Sequence, residues 1–176
     1  MPSSFARRRL VAGGSGTAVS RGLISWRTWR KKGSGNYSVT AIVLDSWAVI
    51  GWLQGEEPAR SKVREILEHA ALHGEDTVGM SMINIGEVFY LIAKRRGAAL
   101  AERFLSDLPT MPIQSLVPDR RLILDAARLK SKFSISYADA FAVETARRQR
   151  ATLVSGDPEL LVLSQQEPIE LLWVGS

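Results

Sequence analysis

Four carboxylates stand in contexts from which a folded chain could gather them: Asp45 in LDSW, Glu87 in SMINIGEVFY, Asp139 in SYADAFA and Asp157 in VSGDPEL. Carboxylates crowded together repel one another and call for a cation. An all-oxygen ligand set, with no cysteine in the chain and no histidine near any of these acids, selects a hard ion, magnesium or manganese, over zinc. Each acid also has an ordinary explanation. Asp45 suits a helix N-cap, and Asp157 followed by Pro158 is a common helix start. Ser136-x-x-Asp139 has the form of a capping box, although Ala138, Ala140, Phe141 and Ala142 around it read as interior. Glu87 could be a solvated helix acid, but Ile83, Ile85, Val88 and Phe89 make an apolar setting. Joint placement carries more than any single member. Three of the four fall at strand-to-helix junctions or in a first helical turn, where α/β proteins bind ligands. His69 and His73, i and i+4 on one helix, could pair on zinc, but a solvated face is the plainer reading.

The elements that must position these acids follow from hydrophobic spacing. AIVL before Asp45 is a short β-branched run, the pattern of a buried parallel strand. Val63, Ile66, Leu67, Ala70 and Ala71 recur on one face of a helix over 58–73. TVGM (77–80) predicts a second strand. Ser81 predicts the N-cap of a helix through Lys94, with a stripe of Ile85, Val88, Phe89, Ile92 and Ala93. Asn84 shares a face with Glu87. A helix over 98–107, a strand near 112–116, helices over 119–132 and 137–149, a strand at 152–155, a short helix from Pro158 and a strand over 169–174 complete the reading. Strands alternating with helices imply an α/β fold around a mostly parallel sheet.

Composition sets the limits. The net charge of +5 is unevenly placed. Residues 1–38 hold eight basic residues and no acid, leaving fifteen basic against eighteen acidic in the remainder, a net of −3. A nucleic-acid argument from overall basicity would therefore be an argument about the first 38 residues alone. That Gly-, Ser- and Arg-rich stretch reads as a disordered extension: a dispensable tail, a targeting peptide or a basic arm for RNA phosphates. The absence of cysteine excludes disulfides and fits a cytoplasmic protein. No stretch approaches the roughly 18 apolar residues of a membrane span.

The motifs IVLDSWAVI, SMINIGEVFY, ISYADAFAVETA and TLVSGDPEL, in this order, resemble those of PIN domains, in particular the toxin ribonucleases of VapBC-type toxin–antitoxin pairs. The resemblance covers residues 41–174. It implies a three-layer α/β/α sandwich with a central five-stranded sheet in a domain over 40–175, and Mg²⁺-dependent endoribonuclease activity (Mn²⁺ being the other candidate ion). It carries the catalytic and metal-binding roles to Asp45, Glu87, Asp139 and Asp157, with Ser46, Asn84 and Ser155 as supporting polar residues. RNA as substrate, a cognate antitoxin and a homodimer are its implied partners, with no membrane. Lys94, Arg95, Arg96 and Arg147 are candidates to meet the RNA, and Trp52, Leu53 and helix 58–73 to meet the antitoxin. Trp47 departs from the small polar residue usual after the Asp-Ser pair, and the basic extension is also unusual. An RNA-processing nuclease without an antitoxin and a catalytically idle binding module share the same motifs. A phosphoacceptor receiver domain would need adjacent acids after the first strand and a lysine after the last, neither of which is present.

Overall fold

The computed structural model describes residues 23–24, 41–73 and 77–176. Its elements are β1 (Leu23–Ile24), β2 (Ala41–Leu44), α1 (Ser46–Gln54), α2 (Ala59–His73), β3 (Thr77–Ser81) and α3 (Met82–Arg96). They continue with α4 (Ala98–Asp107), β4 (Gln114–Leu116), α5 (Arg120–Lys132), α6 (Tyr137–Gln149), β5 (Thr152–Ser155), α7 (Pro158–Leu163) and β6 (Leu171–Trp173). The strands form one sheet in the order β1-β6-β5-β2-β3-β4, with every pairing parallel. Five of them make the expected central sheet. The two-residue β1 adds a sixth at the β6 edge, from within the stretch read as an extension. The rest of residues 1–38 lies outside the described residues.

Strand alternation builds two cores, one on each face of the sheet. Ile42, Leu44, Val154 and Leu172 point into one, where α1, α2, α3 and α4 contribute Val49, Ile66, Ile85 and Phe104. Val43, Leu153 and Leu171 point into the other, where α5, α6 and α7 contribute Ala126, Phe141 and Leu160. This is the three-layer α/β/α sandwich. On α2, Val63, Ile66, Leu67 and Ala70 are buried, whereas Ala71 is exposed. Most of that helix's stripe is therefore core rather than a docking surface.

The N-cap reading of Asp45 allowed helix α1, but its extent was not anticipated from sequence. Its residues, SWAVIGWLQ, are apolar almost all round, so no amphipathic stripe marks it. It is fixed by its ends instead. The Asp45 carboxylate caps its start, and Gly55 at φ 78° closes it in the left-handed conformation that glycine tolerates.

The sheet order places the site. The chain runs outward from β2 through β3 to β4, then returns to lay β5 on the opposite side of β2. At such a reversal, loops leaving neighbouring strand ends diverge and leave a crevice. Asp45 leaves β2 there, and the Ser155–Asp157 segment leaves β5 beside it.

Candidate active site

A cavity of about 630 Å³ opens at the C-terminal edge of the sheet, and all four sequence-predicted acids, Asp45, Glu87, Asp139 and Asp157, line it. Each arrives on a different segment: the β2–α1 junction, the middle of α3, the first turn of α6 and the start of α7. Ser46 lines the same cavity. Asn84 and Ser155 are fully buried and reach Asp45 by hydrogen bonds.

Asp45 is the most tightly held. It is 1% exposed. Backbone N–H groups of Ser46 and Trp47 donate to its two oxygens at 2.6 and 3.4 Å. Asn84 Nδ2 donates to Oδ1 at 3.3 Å and Ser155 Oγ to Oδ2 at 2.7 Å. Burial, then the neighbouring Asp139 charge, still pushes its pKa up to about 7 against the donated hydrogen bonds, which favour the charged form.

Asn84 and Ser155 also connect the segments. Asn84 Nδ2 lies 3.1 Å from both Ser46 Oγ and the Ala138 carbonyl, which ties α3 to the first turn of α6. Its Oδ1 is buried without a partner. Ser155 Oγ accepts from the Asp157 N–H at 3.0 Å while donating to Asp45. One hydroxyl thus sets the spacing of two acid-bearing segments.

Asp139 and Asp157 perform their capping duties and line the cavity together. The Ser136 N–H donates to Asp139 Oδ2 at 2.7 Å and the Asp139 N–H to Ser136 Oγ at 2.9 Å, a complete capping box. Asp139 is 6% exposed, and burial holds its pKa above the usual carboxylate value, with Asp157 and Glu87 adding to the rise. Asp157 caps α7 through the Glu159 N–H at 2.8 Å. Glu87 is half-buried, and Tyr90 Oη donates to it at 3.2 Å.

Two helix faces supply the walls. Trp47, Ile50, Gly51 and Gln54 recur at i, i+3, i+4 and i+7 along α1, and Glu87, Leu91 and Arg95 at i, i+4 and i+8 along α3. Glu56 and Glu159 bring the acids in the lining to six, and Arg95 is its one cation among the described residues. The α3 periodicity could have pointed to Arg95 from sequence. Nothing local marks Gln54 or Glu56. Of the other basic candidates, Arg147 is placed elsewhere. It lies near the far end of α6, and its guanidinium donates to Glu144 and Glu167, each at 2.6 Å.

The donor set fits a hard cation. Asp45 and Asp139 raise one another's cost of ionisation inside a buried site, and a divalent ion would relieve both. Among the described residues no three acidic or imidazole side chains already converge into an ion cage.

Fold and acid geometry together define a class, the parallel α/β domains with a carboxylate site at the sheet's topological switch. More particularly, residues 42–164 match the model of the PIN domain, and the chain belongs to that family. Among solved structures it is similar to VapC20 of Mycobacterium tuberculosis, described as a toxin that cleaves the sarcin–ricin loop (TM-score 0.57, 13% identity, covering 69% of this chain and 94% of that one). VapBC-1 of nontypeable Haemophilus influenzae is similar at TM-score 0.58 and 16% identity, covering 76% and 98%. VapBC2 of Rickettsia felis, solved with a DNA fragment from its promoter, gives TM-score 0.57 and 12% identity, covering 78% and 99%. At these identities the likeness is one of fold. No curated protein sequence matches the chain. Among the described residues no helix is long and apolar enough to cross a membrane.

Proposed function

We propose that the chain is a divalent-metal-dependent endoribonuclease acting as the toxin of a toxin–antitoxin pair. The observation that carries the nuclease reading is the convergence of four acids, from four separate segments of a PIN-domain chain, on one solvent-open cavity. The toxin reading rests on the fold likeness to VapC20 and to the VapBC assemblies.

Asp45 and Asp139 would hold a Mg²⁺ or Mn²⁺ ion, with Asp157 completing the set through water. Such an ion supplies charge neutralisation at the phosphoryl oxygens and acidifies water. The protein's own residues do the rest. Ser46, Asn84 and Ser155 fix the Asp45 carboxylate, so that no reorganisation is needed when phosphate arrives. Glu87, less constrained, orients the attacking water and accepts its proton. Arg95 faces the incoming backbone charge. An antitoxin partner would cover this cavity and keep phosphate out.

The test is cleavage of total cellular RNA by purified protein, with Mg²⁺ and with chelator. Cleavage that needs the ion, and growth arrest on expression that Asp139→Asn relieves, are the expected results. RNA left intact at every metal concentration by folded protein would overturn the nuclease reading. Cleavage without growth arrest would favour RNA processing over the toxin role.

A further inference from the structure

We propose that Gln54 is a positioning residue for Arg95. Its amide stands between that guanidinium and the Glu56 carboxylate, and so keeps the positive charge out of an ion pair and available to a phosphodiester. The inference rests on the ribonuclease reading and concerns how that site would hold its substrate's charge.

Two helix ends bring the three side chains together. Gln54 is the last residue of α1, and Gly55 at φ 78° then reverses the chain. The Glu56 N–H donates back to the Gly51 carbonyl at 2.9 Å, which fixes Glu56 against the end of the same helix. Arg95 lies in the last turn of α3, and all three residues line the acid cavity. With its amide oriented to satisfy both neighbours, Gln54 accepts from Arg95 Nη1 at 3.2 Å and donates to Glu56 Oε1 at 3.0 Å. The amide's negative end meets the cation and its positive end meets the acid.

Arg95 is an exception in this chain. Arg64, Arg103, Arg128, Arg147 and Arg148 each pair with a carboxylate. Arg95 shares a cavity with six acids, yet its partner is a neutral amide. An ion pair with Glu56 would offset much of its charge and occupy the N–H fork that grips phosphate oxygens in pairs. Gln54 engages one N–H and leaves the charge whole. All three residues are exposed, so the contact adds little to stability. What it settles is where the cation stands and what it is free to bind.

The experiment is a double-mutant cycle on the full chain, read as kcat and KM for one short RNA in Mg²⁺. Arg95→Ala should raise KM about tenfold and flatten its dependence on salt. Gln54→Ala should raise KM about threefold with kcat little changed, because the guanidinium is no longer held. Gln54→Glu keeps the size and the acceptor, so a simple tether between helix ends would survive it. Here the new carboxylate captures Arg95, and KM should rise about tenfold. In the Arg95→Ala background each Gln54 substitution should add less than about twofold. Undiminished effects in that background would overturn the proposal, since Gln54 would then act through overall charge or packing. A wild-type KM for Gln54→Glu would overturn it too. If the wild type cuts no RNA, the ribonuclease reading fails separately. The same cycle is then read as affinity for the labelled RNA by anisotropy, and additive losses or no binding at all overturn the positioning role.

Discussion

Asp45 and Glu87 face the same cavity and are held in opposite ways. The first is sealed at 1% exposure with both oxygens bonded to backbone and side-chain donors. The second is half-buried on the middle of α3, with one phenol as its recorded side-chain partner. A carboxylate that must sit at one place is built into the fold at some expense to stability. Under the proposed reaction, the one that would follow a moving proton or water is left on a helix face. Asp139, with its capping box, sides with Asp45, and Asp157, capping a short helix at the rim, stands between them.

The sharpest way to break this comparison is kinetic. Asp45→Asn and Asp139→Asn should each lower kcat by about a thousandfold or more, and Glu87→Gln by about ten- to hundredfold, if the sealed pair carries most of the transition-state charge. Equal losses at all three would erase the distinction.

The next effect is on stability, with the opposite sign. Because burial and Asp139 raise the folded pKa of Asp45 to about 7 from 3.8, the folded state holds this proton more tightly than the unfolded chain. Its contribution is fully present at low pH and is lost as pH rises from about 4 to about 7. In metal-free protein the loss is of the order of 4 kcal/mol at most. Asp45→Asn should remove that slope, so that the variant melts higher than wild type at pH 7.5 and the two converge near pH 4. Added Mg²⁺ should narrow the gap at neutral pH by stabilising only the wild type. Parallel pH–melting curves would refute the sealed-acid account.

The smallest expected effect is at the other end of α6. Arg147→Ala breaks two part-buried ion pairs and should cost about 1–2 kcal/mol of stability while leaving kcat and KM unchanged. A raised KM would return Arg147 to the RNA path.

Much of this was legible beforehand, for identifiable reasons. Short β-branched runs before Asp45 and Asp157 announced strands ending at acids, and the cavity lies at those ends. The capping and site readings of Asp139 and Asp157 looked like rivals in sequence, yet each carboxylate caps its helix and also lines the cavity. A carboxylate has two oxygens, and Ser136 N–H occupies only Oδ2 of Asp139. The extent of helix α1 escaped notice because apolar residues on nearly every side leave no periodic stripe. With it went the walls formed by Trp47, Ile50 and Gln54. Glu56 is brought in by chain reversal after Gly55, which no local spacing encodes.

The hydrogen bond from Ser155 to Asp45 spans 110 residues of sequence. It joins strands that become neighbours only after the chain has passed through β3 and β4 and come back. Such contacts are the slowest to form. A ribosome-bound chain that has not yet released β5 therefore carries Asp45 without the Ser155 hydroxyl that bonds one of its oxygens. The cavity lined by Asp45 and Asp157 is thus completed only when the last strands to be synthesised have folded home.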